Sequence, residues 1–361
     1  MKKLLIFMPS IEGGGVEKNF FLITKHLSKN IKDVNLITAE RGLSKKLPGI
    51  NIIFPKLNFW RNSGRLRKYF VCCLLLIKFL ILNRSVLIFS FQANLYAILI
   101  GNFFFKTVIS RSNSSPSGWS KNNLKKIIYK TILNLASTVI VNSFEFQREM
   151  NKKFKINTKC IYNPLNKSQI IKLSRKKIKN PFKKNRLKII NVGRLVDQKD
   201  QLTLLKSILK LKDKVKMQII IIGRGENNNK LRKFINQNRL NQIVKIFYTS
   251  NPFAFIRRAD VFILTSKFEG LPNVLLESIS LKKFVISSNC PTGPKEILDN
   301  GKGGLLFKTG DENDLVKKIV YYNSNKSLCK KKVIHSYQRL ERFNCDNNLK
   351  KYLVLTKKYL N

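Results

Sequence analysis

The feature that most constrains this chain is an alternation of short apolar runs with helix-length segments, begun at residue 3, broken once near the middle and then begun again. Residues 3–8 read as a strand. Residues 16–28 read as a helix whose Val16, Phe20, Ile23 and Leu27 recur at helical spacing. Further strands are expected at 34–39, 50–55, 86–91, 106–110, 138–142 and 160–163, with helices at 64–82, 93–102, 121–136 and 145–154. Such alternation buries a mainly parallel sheet beneath helices on both faces, so the fold class is α/β.

The interruption lies at 172–188, where Arg175, Lys176, Lys177, Lys179, Lys183, Lys184 and Arg186 surround Asn180-Pro181. A run of like charges carrying a proline reads as an exposed connection. Alternation then resumes with strands at 187–192, 217–222, 244–248, 261–264, 284–287 and 305–307. The expected organisation is a Rossmann-like domain over 1–170, a basic linker over 171–186 and a second Rossmann-like domain over 187–342. A terminal helix follows in 343–361. A chain of 361 residues suits two cores of this size. Two doubly wound sheets would bind a ligand beyond the carboxyl ends of their strands, in a cleft that both domains face.

Charge and cysteine content narrow the function classes. The 70 Lys and Arg outnumber 20 Asp and Glu, for a formal charge of +50. Part of this excess is what an AT-rich genome writes through Lys, Asn, Ile and Phe codons, and the remainder favours an anionic partner. The six cysteines form no C-x-x-C pair and only two histidines exist, His26 and His335. A zinc site and a disulfide framework are therefore not expected, and a reducing cytoplasm is the expected home. The Met1-Lys2-Lys3 start resembles a leader, but its apolar run is too short. The apolar stretch 71–82 contains Lys78 and falls short of the roughly 20 residues needed to span a bilayer. It reads first as a buried helix; the alternative is a helix lying against a membrane, flanked by Arg65, Arg67, Lys68 and Arg84.

Four segments carry chemistry. Gly13-Gly14-Gly15 follows the first strand and opens a helix, so its backbone could approach a diphosphate beside free N–H groups; the competing reading is a tight turn. Arg194 and Lys199 flank one loop after the strand at 187–192, where two fixed cations suit a pyrophosphate; in isolation they would read as surface charges. Gly223 belongs to a third strand–glycine–helix turn. The most specific segment runs from Ser266 to Glu277 and sets Glu269 and Glu277 eight positions apart around Gly270-Leu271-Pro272. Pro272 suits a helix start, where Asn273 and Val274 offer N–H groups to an anion. Each carboxylate can accept two hydrogen bonds from adjacent sugar hydroxyls.

Taken together, Gly193-Arg194-Leu195, Gln198-Lys199-Asp200, the Glu-x7-Glu segment, Cys290-Pro291-Thr292-Gly293-Pro294-Lys295-Glu296-Ile297 and Gly303-Gly304-Leu305-Leu306 resemble glycosyltransferase family 4 over nearly the whole chain. These are the retaining enzymes of the GT-B fold within glycosyl transferases group 1. The resemblance implies that Arg194 and Lys199 hold the diphosphate of a nucleotide sugar, with UDP the expected nucleotide. It implies that Glu277 binds ribose and that Glu269, with the amides of Gly270, Leu271, Pro272, Asn273 and Val274, meets the transferred sugar. Gly14 and Gly15 would close on the donor. No cofactor and no metal is implied. The sugar would be a hexose or N-acetylhexosamine, and the acceptor a lipid-linked or saccharide chain in cell-surface glycan assembly.

Two positions depart from the family pattern. Phe91-Gln92 stands where many relatives carry a histidine, and Thr249 stands where relatives often carry a glycine. On the acceptor side, the segment 110–113 resembles a polar acceptor loop, making Arg111 and Asn113 candidates. The cations of the hinge and first domain suggest a cytoplasmic protein peripheral to an anionic membrane face. Two other readings compete: a sugar-nucleotide epimerase or phosphorylase on the same fold, and a nucleic-acid binder drawn from the charge. The aromatics sit mostly in apolar runs rather than interleaved with cations, so no nucleic-acid partner is expected.

Overall fold

A computed structural model describes residues 2–11, 13–60, 63–113, 116 and 122–361. In chain order the first elements are β1 (Lys3–Phe7), α1 (Gly15–Asn30), β2 (Val34–Ile37), β3 (Asn51–Ile53), α2 (Arg65–Leu82), β4 (Val86–Ser90), α3 (Asn94–Phe103), β5 (Thr107–Arg111), α4 (Asn123–Asn134), β6 (Thr138–Val141), α5 (Phe144–Phe154) and β7 (Thr158–Cys160). There follow α6 (Lys167–Ser174), β8 (Leu187–Val192), α7 (Gln201–Leu211), β9 (Met217–Ile222), α8 (Asn228–Gln237), β10 (Val244–Phe247) and α9 (Phe253–Ile256). The chain ends with β11 (Val261–Leu264), α10 (Asn273–Ser280), β12 (Phe284–Ser288), α11 (Pro294–Ile297), β13 (Leu305–Phe307), α12 (Glu312–Ser324), α13 (Lys326–Gln338) and α14 (Cys345–Leu360).

These elements form two compact units, Met1–Pro164 with Cys345–Asn361, and Leu165–Asn344. The division falls at Pro164, upstream of the basic stretch, because the segment read as the start of the linker instead forms α6. Ile170 and Ser174 of that helix are buried, and Asn251 Nδ2 donates to Leu173 O at 3.0 Å, which fixes α6 to the second unit.

Among the described residues, the first unit holds a seven-stranded parallel sheet in the order β3-β2-β1-β4-β5-β6-β7. Central strands β1 and β4 are mostly apolar because helices cover both faces. On one face α1 and α14 bury Phe20, Ile23, Leu27, Leu349, Tyr352 and Leu355. On the other, α2, α3 and α5 bury Val71, Leu76, Ala97, Ile98, Phe146 and Met150. The second unit holds a six-stranded parallel sheet in the order β10-β9-β8-β11-β12-β13, and β9, Met-Gln-Ile-Ile-Ile-Ile, is buried at every position. This is the doubly wound α/β arrangement expected from the alternation of strands and helices. The stretch 71–82 differs from its first reading: α2 buries one side only, leaving Leu74, Ile81 and Leu82 exposed.

Candidate active site

The order of strands decides where chemistry can sit. In the second unit, connections run from β8 through β9 to β10 on one side, then back to β11 and onward on the other. At such a reversal the loops leaving two neighbouring strands diverge and open a crevice at their carboxyl ends. Here the reversal lies between β8 and β11. The loop after β8 carries Arg194 and Lys199, and the loop after β11 carries Glu269.

The two loops are stitched together. Lys199 Nζ meets Glu269 Oε1 at 2.5 Å, with both side chains largely shielded from solvent. Ser266 Oγ donates to the same carboxylate oxygen at 2.6 Å. Lys267 N donates to Gln198 O at 2.8 Å, Gln198 Nε2 donates to Phe268 O at 2.9 Å and Thr265 Oγ1 donates to Lys199 O at 2.8 Å. Burying a carboxylate this deeply is costly without a cation and a hydrogen bond, and Lys199 and Ser266 supply them. Arg194 stays exposed on the same loop, its Nη2 3.4 Å from Gln198 Oε1 and its carbonyl accepting from Gln201 Nε2 at 2.9 Å.

A third loop, after β12, braces the second. Thr292 Oγ1 donates to Glu269 O at 2.6 Å, and Glu269 N donates to Pro291 O at 3.3 Å. Gly293 adopts φ +88°, and a Cβ there would lie 2.5 Å from Gly270 O and 2.8 Å from Pro272 Cδ. Only glycine lets this turn lie against the Gly270–Pro272 backbone. Cys290 beside it is buried, and burial followed by the Glu269 charge pushes its thiol up to about 12. At neutral pH it stays protonated and acts as packing rather than as a nucleophile.

The helix after Glu269 begins one residue later than the sequence suggests. Pro272 is the N-cap, with extended backbone and no side-chain cap bond, and α10 starts at Asn273. Asn273 and Val274 are half-buried in its first turn, and Leu271 and Glu277 are buried. Gly223 follows β9 where the backbone is closest: a Cβ there would lie 1.9 Å from Gly193 O, so the loops after β8 and β9 touch main chain to main chain. Arg224 adds a feature the motifs do not signal, its guanidinium standing 4.8 Å over the ring of exposed Tyr248.

The sequence-predicted residues thus divide. Arg194, Lys199 and Glu269 come together at the reversal, with Gly270, Leu271, Pro272, Asn273, Val274 and Glu277 continuing from Glu269 into α10. Gln198, Ser266 and Thr292 were missed as supports, although each lies within a quoted motif. In the first unit the reversal lies between β1 and β4, and Gly14 and Gly15 open α1 after β1. Ser10 N donates to Gln92 Oε1 at 2.8 Å, so the residue standing in the histidine position ties the loops after β1 and β4.

The acceptor expectation is corrected for Arg111. Arg111 is fully buried. Its Nε donates to Tyr352 Oη at 2.9 Å, Nη2 to Asn163 Oδ1 at 2.6 Å and Nη1 to Asn113 Oδ1. Asn113 Nδ2 in turn donates to Phe91 O at 2.9 Å. The guanidinium fastens β5 to α14 and is sealed inside the unit, with three of its five N–H groups donating to Tyr352, Asn163 and Asn113.

Two doubly wound parallel units, with a lysine–glutamate pair at the strand reversal of the second, have the architecture of the GT-B fold. Residues 173–339 match the glycosyl transferases group 1 family, and the chain's curated relatives are glycosyltransferases. An uncharacterized glycosyltransferase of Methanocaldococcus jannaschii is 32% identical over 204 residues, covering 54% of this chain and 50% of that protein. The N-acetylgalactosamine-N,N'-diacetylbacillosaminyl-diphospho-undecaprenol 4-alpha-N-acetylgalactosaminyltransferase of Campylobacter jejuni is 26% identical, covering 87% of this chain and 88% of that enzyme. Among solved structures, Anabaena HepE in complex with UDP and glucose superimposes with a TM-score of 0.80 at 16% identity, over 99% of this chain and 100% of that one.

Proposed function

We propose that the protein is a retaining glycosyltransferase that moves a hexose or N-acetylhexosamine from a UDP-linked donor to a lipid-linked or saccharide acceptor in cell-surface glycan assembly. The observation that carries this reading is the Lys199–Glu269 pair at the β8/β11 reversal, with exposed Arg194 on the same loop. In this reading Lys199 and Arg194 hold the donor diphosphate, Glu269 accepts from hydroxyls of the transferred sugar and Glu277 accepts from ribose. The relatives supply the chemical classes: the Campylobacter enzyme is named for N-acetylgalactosamine transfer onto a diphospho-undecaprenol-linked sugar, and the Anabaena structure is titled with UDP and glucose.

The proposed step breaks the bond from the anomeric carbon to the leaving phosphate oxygen and forms one to the acceptor oxygen on the same face. The acceptor's proton passes to that phosphate oxygen. Negative charge grows on the diphosphate as the bond breaks, and fixed cations already beside it stabilise that charge without reorganisation. Arg194 and Lys199 serve where other transferases use a metal ion, so chelation with EDTA should leave turnover unchanged.

The test is a panel of UDP-sugars incubated with lipid-diphosphate acceptors, read by mass spectrometry and by free UDP. Expected is a product one sugar heavier with UDP released in equal amount, and a loss of activity on the order of a hundredfold or more in Glu269→Gln. Conversion of the donor without acceptor, and without UDP release, would identify an epimerase instead.

A further inference from the structure

Helix α2 carries apolar residues on both its sheet-facing and its outer side. Lys68, Val71, Cys72, Leu76 and Leu80 face the sheet, while Leu66, Phe70, Leu74 and Ile81 recur at helical spacing on the opposite, exposed side. Apolar side chains on the outer side of a surface helix belong against a partner or lipid, and among the described residues those of α2 meet neither within the unit. The feature continues sideways. α2 packs beside α3, and α3 beside α4. On α3, Tyr96, Leu99 and Phe103 form an exposed stripe followed by Phe105, with Phe103 77% and Phe105 96% exposed. On α4, Leu124, Ile127 and Ile128 are exposed, and Leu133 is the buried residue. The Tyr69 and Tyr96 rings, 6.4 Å apart, join the outer sides of α2 and α3.

Charge identifies what covers this face. From Arg41 to Phe144 the sequence contains sixteen Lys and Arg and no Asp or Glu. Exposed Arg67, Lys78, Arg84, Lys125, Lys126 and Lys130 stand on or beside the three helices. Apolar patches of this extent are rare on isolated proteins, and one rimmed by a single sign of charge has an apolar partner with the opposite charge at its border. An anionic bilayer has that structure: an acyl interior behind a layer of phosphates. A protein partner would need matching apolar and acidic surfaces, and this chain offers no acidic face of its own within the unit's 41–144 stretch.

We infer that the outer face of α2, α3 and α4 seats the protein on an anionic lipid bilayer, with Phe70, Leu74, Phe103 and Phe105 entering the headgroup boundary. This deepens the transferase reading, and rests on it only in giving a lipid-linked acceptor a place to be met. Docking itself requires neither donor nor acceptor.

The experiment is co-sedimentation of the full chain with vesicles of phosphatidylcholine alone or with added phosphatidylglycerol. Expected is pelleting with the anionic vesicles only, weakened by salt. Lys125→Gln with Lys126→Gln should reduce partition roughly fivefold per charge. A Phe70→Ser, Phe103→Ser, Phe105→Ser variant should lose at least about tenfold, since the acyl contacts are gone. These side chains are exposed, and circular dichroism together with the UDP-induced thermal shift verifies that the variant is folded and donor-competent. Anionic binding unchanged in the triple variant would overturn the inference. So would a lipid-free dimer that the triple variant dissolves, because the face would then be covered by a second copy. A protein that binds UDP but no vesicle would refute docking and leave the transferase reading standing.

Discussion

At the scale of single residues, the site is defined by close approaches that leave little room for substitution. Gly223 is the sharpest case. A Cβ there would overlap the Gly193 carbonyl oxygen at 1.9 Å, and main chain cannot move aside as a side chain can. Gly223→Ala should therefore lower stability by about 1–3 kcal/mol, measured by urea unfolding, as in other overpacked interiors. It should weaken UDP binding as well, because it displaces the loop that carries Arg194. The Lys199–Glu269 pair has the same all-or-none character, since removing one partner strands the other's charge in a shielded position. Residues that bear charge at strand ends were legible in the sequence because loop position and charge suffice to nominate them. Gln198, Ser266 and Thr292 were not, because a neutral side chain declares a role only when its hydrogen-bond partner is known. Arg111 was misread for a related reason: an arginine after a strand looks like a ligand until its full burial, with N–H groups donating to Tyr352, Asn163 and Asn113, is known.

At the scale of elements, the strands and most helices follow from periodicity, and their limits agree to within a few residues. Near the end of the second unit, α13 stops at Gln338 and a 3-10 turn, Arg339–Phe343, follows. α2 marks where periodicity stops informing: apolar residues on both sides cannot say which side meets the sheet. α14 marks a contact between distant parts of the sequence. It packs beside α1, and Tyr352 Oη accepts from Arg111 while donating to Ile161 O at 3.2 Å. Tyr352→Phe would leave a buried guanidinium N–H and a buried carbonyl unmatched at once. The expected cost is about 1.5–3 kcal/mol, read as a lower midpoint of unfolding with the denaturant slope unchanged.

At the scale of the whole chain, two parallel sheets repeat one plan with different uses. The plan was legible because a repeated strand–helix alternation admits few topologies. The division at Pro164 was not, because the basic stretch after α6 resembles a linker while α6 itself is held by Asn251 and buried residues of the second unit. Both sheets reverse their connections once, between β1 and β4 in the first unit and between β8 and β11 in the second, and the glycine-rich and charged motifs follow those strands. The acidic residues are as informative as the cations. Twenty Asp and Glu serve a chain of 361 residues, yet two of them are buried within the single Glu-x7-Glu segment. Burying a carboxylate is costly without a matched partner, so their placement argues for ligand chemistry rather than surface solvation.

The central claim is that Lys199 and Glu277 grip one bound nucleotide, the lysine through diphosphate and the glutamate through ribose. Isothermal titration of UDP into the wild-type chain, Lys199→Met and Glu277→Gln tests it most directly. The account predicts saturable binding to the wild type and at least roughly tenfold weaker binding to each folded variant, as expected for loss of a hydrogen bond to a charged group. UDP affinity unchanged in both folded variants, or absent from the wild type, would contradict it.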